Sequence, residues 1–436
     1  MTRDSGGGGA PEGPDSPATL RALKLVGGGR SLAHHDGETW MVAGALPGEL
    51  VEARVTGRRA GIVEARALAV LDAPHPARLA DPCPHAERCG GCDWPHVEPA
   101  AGARLKAEAA ADAARGFPEL AALIGQAAIH CSPLAYRLRA RLHWDPQRRT
   151  LGFHEPRSHA VTAIPSCRIL SPALMGALPH LASSLARRCP ARVDLEWLEG
   201  SDPAHGIAAL RPLRGGPTQI DPRWLPPPEE AGDAVRGLHA LSRDGEVEAG
   251  WGATDVVFEL PVPLTVPIGA FFQGNRHLIG PLFARVAELA GPAGDPVVDL
   301  HAGVGFLAAA AYSAGARDLV LVEPQPAAAR AAARNLPQAR VAAGATAEAF
   351  LEGFAPRPAD ALVITDPPRT GMTPALRRAL ADWQPRRLLM LGCDPATWAR
   401  DAGFLCERGY RPASLELFDL FPSTHHVEIL ALLELG

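Results

Sequence analysis

Eight cysteines are spread along this chain of 436 residues, and their settings separate two kinds of chemistry. Cys83, Cys89 and Cys92 stand Cys-x5-Cys-x2-Cys in a Pro- and Gly-bounded loop, DPCPHAERCGGCDWPH. Three thiols gathered by a short loop favour a metal or cluster, because thiolates suit zinc and iron–sulfur centres. A fourth ligand is needed, and the candidates are Cys167, in the turn Ile164-Pro165-Ser166-Cys167-Arg168, and the local His85 and His96. The spacing is not the Cys-x3-Cys-x2-Cys of radical enzymes, which disfavours a radical mechanism. Cys393 has a different setting. It ends the apolar run RRLLML-Gly392 and precedes Asp394-Pro395-Ala396-Thr397, a helix start with Asp as cap and Pro in the first turn. A helix N-terminus stabilises a thiolate, so Cys393 reads as a nucleophile in preference to a small buried hydrophobe. Cys131, Cys189 and Cys406 have no partners in sequence and read as packing residues.

A second group of residues points to a nucleoside ligand. In VVDLHAGVGFLAAAAYSAGARDLVLVEPQ, residues 297–325, a strand passes through His301-Ala302-Gly303-Val304-Gly305 into an Ala-rich helix and returns as a strand closing on Glu323. Glycines let the backbone come close to a ligand, and an acid at the tip of the second strand can reach a ribose. The pattern lacks the third glycine of the dinucleotide fingerprint. Asp366, in Asp366-Pro367-Pro368-Arg369, and Cys393 follow later apolar runs, and motifs at the carboxyl ends of successive parallel strands converge on one crevice. Gln273 sits between Phe272 and Gly274-Asn275 just ahead of this unit, leading into a helix expected over 276–289. Glu428 follows Thr424-His425-His426-Val427 and opens the apolar run ILALLEL, so it is either edge-exposed or a buried acid with a raised pKa.

The elements that must position these groups fall into successive blocks. Residues 1–17 are rich in Gly, Pro, Ser and Asp and read as a flexible tail. Over 18–74, short apolar runs alternate with turn signals such as Gly27-Gly28-Gly29 and Asp36-Gly37, as in a small β-barrel. Residues 75–262 carry the cysteine loop, an alanine-rich helix over about 101–114, a helix opened by Ser171-Pro172, strand-like runs, and PRWLPPPEEAGD, which reads as a surface insertion. Residues 263–436 alternate strand and helix, the signature of a doubly wound α/β sheet.

Composition narrows the partners. The net charge of −5 means that a nucleic acid would have to be held by a local basic surface. Such a surface exists between His130 and Leu170, where Arg137, Arg139, Arg141, Arg148, Arg149, Arg157 and Arg168 face only Asp145 and Glu155. Arg137, Arg139 and Arg141 alternate and so share one strand face, and guanidinium forks suit phosphates. Arg30, His34, Arg54, Arg58 and Arg59 could dress the barrel in the same way. With no apolar signal segment at the start and no apolar run of about 18 residues, no membrane association is expected and the cytoplasm is the expected compartment. The chain is expected to be a monomer.

In combination these residues resemble the S-adenosylmethionine-dependent RNA uracil-C5 methyltransferase family, specifically bacterial members with an N-terminal TRAM domain and a [4Fe–4S] cluster that act on 23S ribosomal RNA. The motifs carrying the resemblance are the cysteine set, Phe272-Gln273-Gly274-Asn275, the glycine loop, Asp366-Pro367-Pro368-Arg369, Cys393-Asp394-Pro395-Ala396-Thr397 and Thr424-His425-His426-Val427-Glu428, across residues 18–436. The resemblance implies a class I methyltransferase sheet, an OB-like TRAM β-barrel and a central α+β iron–sulfur domain. It implies Cys393 as nucleophile and Glu428 as base, with Gln273, His301, Gly303, Glu323 and Asp366 at S-adenosylmethionine. It also implies Cys83, Cys89, Cys92 and Cys167 as cluster ligands and RNA, ribosomal ahead of transfer RNA, as partner. The chain departs from the family at His301-Ala302, where an aromatic and then cysteine are usual, and at Asp394, where asparagine is usual. The other readings are a non-catalytic RNA-binding or ribosome-assembly factor on the same fold and a small-molecule methyltransferase. The paired presence of Cys393 and Glu428 speaks against the first, and the barrel with its arginines against the second.

Overall fold

The computed structural model describes residues 17–291, 294–355 and 357–436; residues 1–16, most of the stretch read as a tail, lie outside it. Its N-terminal sheet has six strands, in which 18–26 supplies both ends of the strand order. Ala18–Arg21 pairs with Leu50–Arg59, whereas Lys24–Val26 pairs with Arg30–His35. The chain changes partner between Ala22, whose amide donates to Glu49 O, and Leu23, whose amide donates to Leu32 O. One bent strand thus draws the sheet round on itself over a small core of Leu20, Trp40, Val42, Val51 and Val63. All its pairings are antiparallel except that of Glu38–Ala43 with Ile62–Val70.

A seven-stranded sheet forms the middle of the molecule, in the order Val161–Ala163, Thr150–His154, Arg139–Asp145, Val193–Glu199, Gly206–Pro212, Val235–Leu241, Val247–Gly252. The helix Pro172–Arg188 covers it, capped by the Ser171 hydroxyl accepting from the Leu174 amide. Leu225 and Ala231, in the stretch read as a surface insertion, are buried against this layer, so part of that stretch is core. Its prolines open two short helical turns, Pro222–Trp224 and Pro228–Ala231, which keep these apolar side chains against the interior.

The C-terminal sheet has eight strands: Arg340–Ala343, Leu319–Glu323, Val297–Asp299, Leu362–Thr365, Arg387–Gly392, Glu428–Leu435, Tyr410–Phe418 and Ala128–His130. The first five run parallel, and Glu428–Leu435 is antiparallel to both its neighbours. The edge strand Ala128–His130 comes from a stretch that precedes the middle sheet in the chain. With it come the helices Pro99–Ala113 and Pro118–Gln126, whose Ala107, Ala110, Leu120 and Ile124 pack with Val298, Leu300, Trp398 and Leu405. The helix expected from residue 276 begins at Ile279, because Asn275 Oδ1 takes the His277 and Leu278 amides at 2.9 and 3.1 Å. Among the described residues no helix is long and apolar enough to cross a membrane.

Candidate active site

Strand direction and register bring the singled-out residues together. Gly392 pairs with Ile429, so Cys393, just past the end of one strand, stands opposite Glu428, which opens its antiparallel neighbour. Asp366 follows Leu362–Thr365 on the other side of Arg387–Gly392, with Thr365 paired to Met390. All three groups therefore lie on the edge formed by the carboxyl ends of the parallel strands. Gln273 reaches the same edge, its amide donating to Asp366 Oδ2 at 3.4 Å.

Burial sets the protonation of this edge. Desolvation pushes Glu428 well above the usual carboxylate range, with Asp366 adding to the rise and the Arg369 guanidinium opposing it. Asp366 is raised by burial as well. Burial pushes the Cys393 thiol up to about 12; Glu428 and Asp366 act in the same direction and Arg369 against it. The thiolate stabilisation expected from the helix N-terminus is outweighed here by desolvation and the two carboxyls. Asp394, next to the thiol, caps the following helix, its Oδ1 accepting from the Thr397 amide at 2.9 Å. Arg369 is the cation that favours both a thiolate and a carboxylate, and it lies 3.1 Å from His426 Nε2. His426 is held neutral, its pKa pulled down to about 3 by burial and by His425 and Arg369.

The glycine loop adds a third side. Gly303 (φ 55°) would carry a Cβ into open space, whereas a Cβ on Gly305 (φ 92°) would meet Leu336 at 3.2 Å. The first glycine leaves room beside the loop; the second serves packing. Glu323 ties the turn down, taking the Gly303 amide at 2.8 Å and the Gln325 amide at 2.7 Å, and burial raises its pKa. The His301 Nδ1 lies 3.0 Å from Thr365 Oγ1 and burial pulls its pKa down to about 4, so it is neutral at pH 7. Asp299, not singled out in the sequence, is fully buried, is pushed up to about 7 by desolvation and then by Asp366 and Glu323, and has one carboxyl oxygen without a partner. Its signal in the sequence was an acid ending an otherwise apolar strand directly before the glycine loop.

The cysteines sort as follows. Cys83, Cys89, Cys92 and Cys167 are half-buried and within mutual electrostatic reach; burial raises Cys89, Cys92 (to about 12) and Cys167, and neighbouring thiols push each further up. His85 Nε2 lies 3.2 Å from Ser166 Oγ, beside this group, while His96 faces Arg78 and Glu49. Among the described residues, the cluster of ligand atoms all within 4.8 Å of one another is Asp93, His425 and His426; no three of the four sulfurs lie that close together. Cys189 is buried and Cys406 partly so, but Cys131 is exposed and is not a packing residue, since it lies just past the short edge strand that ends at His130.

The alternating arginines were expected on one strand face, but the strand begins at Arg139, and Arg137 lies before it, bridged to Leu170 and Asn275. Arg141 pairs with Glu196 at 2.8 Å across the register that sets the two opposite each other. Arg139 lies over the exposed ring of Phe271, 5.6 Å from its centroid, and Arg137 over Phe153 at 5.5 Å, beside the thiols. On the barrel, Arg30 and Arg59 pair with Glu64 and Arg58 with Glu38. A groove of about 560 Å³ separates barrel from cysteine loop, with Arg30, Arg66, Arg78 and Arg157 in its lining.

A mixed sheet in this order, with a glycine turn after one parallel strand, acids after its neighbours, and a thiol and a carboxyl facing each other at the ends of two paired strands, defines an α/β protein of the methyltransferase type. No family model matches the chain. It is 33% identical over 454 residues, covering 99% of this chain and 97% of the other, to a Pseudomonas putida protein named 23S rRNA (uracil(1939)-C(5))-methyltransferase RlmD. A Pseudomonas aeruginosa protein of the same name is 30% identical over 460 residues and the full length of both chains. In structure it resembles the Pyrococcus abyssi tRNA (uracil-54, C5)-methyltransferase solved with S-adenosyl-L-homocysteine, with TM-score 0.73 and 20% identity over 95% of this chain and 99% of that one. The chain belongs to the RNA uracil-C5 methyltransferase family.

Proposed function

We propose that this protein methylates C5 of a uridine in 23S ribosomal RNA, with Cys393 as nucleophile and Glu428 as base. The observation that carries the reading is the antiparallel register that sets Cys393 opposite a buried Glu428 at the mouth of the sheet. Uracil C5 is too weak a nucleophile to take a methyl directly. Addition of the Cys393 thiolate to C6 forms a C–S bond and moves the C5=C6 electron pair toward C5 and the O4 enolate. Bound S-adenosylmethionine supplies an electrophilic methyl. Glu428 then takes the proton from C5, the pair returns to C5=C6, and the C6–S bond breaks to release the thiolate. Arg369 favours the charged form of both groups, and the raised pKa of Glu428 gives it basicity near neutral pH. The target base must leave its stack to expose C6, which suits an unpaired or flipped nucleotide.

A cationic cofactor fits the crevice residues. Asp299, Glu323 and Asp366 are buried acids whose charge is disfavoured when unpaired, and one Asp299 oxygen has no partner. These three, with Gln273, His301 and Gly303, are the residues that would hold S-adenosylmethionine. The thiol set fits a polynuclear centre better than a single ion: zinc–thiolate bonds of ~2.3 Å place sulfurs within about 4 Å of one another, and no three of these sulfurs are so gathered. Cys83, Cys89, Cys92 and Cys167 would hold a [4Fe–4S] cluster that ties the loop to the turn at Cys167. Residues 18–74 would act as a TRAM barrel and, with Arg137 and Arg139, hold RNA phosphates.

The test uses methyl-labelled cofactor, substrate RNA and a denaturing gel. Glu428→Gln keeps shape but not basicity, so label should shift with protein as a methylated conjugate; Cys393→Ala should give neither conjugate nor product. A labelled conjugate in Cys393→Ala would remove that residue from the nucleophile role. A Glu428→Gln enzyme turning over at the wild-type rate would assign the proton to another base.

A further inference from the structure

Between the strand Tyr410–Phe418 and Glu428 the chain crosses the site as the segment Asp419–Val427. Its backbone is held mainly from outside the sheet it connects. Asn275 Nδ2 donates to Leu420 O at 2.8 Å, Lys106 Nζ to Phe421 O at 3.0 Å, and the Tyr136 hydroxyl to Pro422 O at 3.1 Å. The Trp94 amide donates to Ser423 O at 2.9 Å, and His425 Nδ1 lies 2.6 Å from Asp93 Oδ2. Trp94 in turn donates its indole N–H to Gly29 O at 2.8 Å, so the first barrel hairpin rests on the same junction. A Cβ on Gly29 would come within 2.6 Å of the His425 Cβ. Ser423 is left-handed (φ 64°), a conformation that disfavours a residue with a side chain and persists where its surroundings fix it.

We infer that Asp419–Val427 is a strap whose position, and with it that of Glu428, is set by the cysteine loop, the helix Pro99–Ala113 and Tyr136, ahead of the strand Arg139–Asp145, making Asp93, Trp94, Lys106 and Tyr136 positioning residues for proton removal from C5. Asp93 and Trp94 directly follow Cys92, so whatever fixes that thiol also fixes the two contacts nearest His425. The inference rests on Glu428 being the base. It goes further in assigning the cysteine loop a part in catalysis that does not require it to touch the reacting atoms.

Two measurements test it on the full-length holoprotein. In single-turnover reactions, Asp93→Ala and the milder Tyr136→Phe should slow release of methylated RNA by about tenfold or more, since a displaced catalytic group costs that much, while methyl transfer falls less than about threefold. Methylated conjugate should then accumulate as in Glu428→Gln. Equal losses in both steps, or no conjugate in either variant, overturn the strap while the Glu428 control stands. If the Glu428→Gln control itself yields no conjugate, it is the assignment of the base that fails. The second readout is independent of activity. Amide hydrogen exchange of the 420–428 peptide should rise when iron is removed by a chelator, ahead of peptides from the sheet strands. Unchanged exchange there overturns the link to the cysteine loop. Because Tyr136→Phe deletes only a hydroxyl, it carries the kinetic test if Asp93→Ala does not fold.

Discussion

Lys106 is one of two lysines in the chain, and replacing it with methionine isolates the energetics of the strap. Its ammonium and the Asp419 carboxylate are 2.6 Å apart and each is 1% exposed. Removing one member of such a pair leaves a buried charge without compensation and typically costs about 3–5 kcal/mol, whereas replacing both by apolar groups is often neutral or better. Phe421 O, which Lys106 also serves, keeps the Thr424 hydroxyl at 2.7 Å, so the second lost bond leaves no orphan. Lys106→Met should therefore destabilise by about 3–5 kcal/mol, and Lys106→Met with Asp419→Leu should recover most of that. The loss in the single variant should shrink as pH falls, because burial raises the Asp419 pKa and lets the stranded carboxyl take a proton. Guanidinium unfolding followed by tryptophan fluorescence, with unchanged m-value, measures all three. A single variant within about 1 kcal/mol of wild type, or a double variant as unstable as the single, would refute the reasoning.

Asp299, raised to about 7 when folded, binds its proton more tightly in the native state, so its contribution is complete below about pH 4 and is lost as pH rises through 7. In thermal melts without cofactor, Asp299→Asn should flatten the decline in Tm between those values; parallel curves for variant and wild type would place the decline elsewhere. Gly303→Ala should fold, at a cost of about 1 kcal/mol for the left-handed alanine, yet lose cofactor affinity in calorimetry, because its methyl enters the open side of the loop. Gly305→Ala should instead lose stability, through Leu336. Arg139→Ala should weaken RNA binding and flatten its salt dependence more than Arg141→Ala, whose side chain is already paired with Glu196. Filter binding across a salt series distinguishes the two, and equal slopes would count against the assignment.

What the sequence disclosed is what neighbours along the chain decide. The glycine turn, the cap at Asp394 and the strand ends at Asp366 and Cys393 depend on a few consecutive residues, and each lies where its local pattern puts it. Glu428 offered two readings, edge or buried acid, and only the neighbouring strands decide for burial. Pairings across long separations left no local trace. Alternation put Arg137, Arg139 and Arg141 on one strand face, but it could not show that the strand begins only at Arg139 or that Glu196 lies opposite Arg141. Nor could the cysteine spacing show that Asp93 meets His425, more than three hundred residues away.

The borrowed edge strand has a consequence for how the chain is made. Ala128–His130 and the two helices before it leave the ribosome early, but the strand and helices they pack on are encoded at the far end of the message. At roughly 5–20 residues per second, translation keeps Leu120, Ile124 and their apolar neighbours waiting on the order of tens of seconds for a surface to cover them. For that interval the growing polypeptide is sticky at a known place, and a chaperone that shelters the 99–130 stretch would decide how much of it reaches the native state.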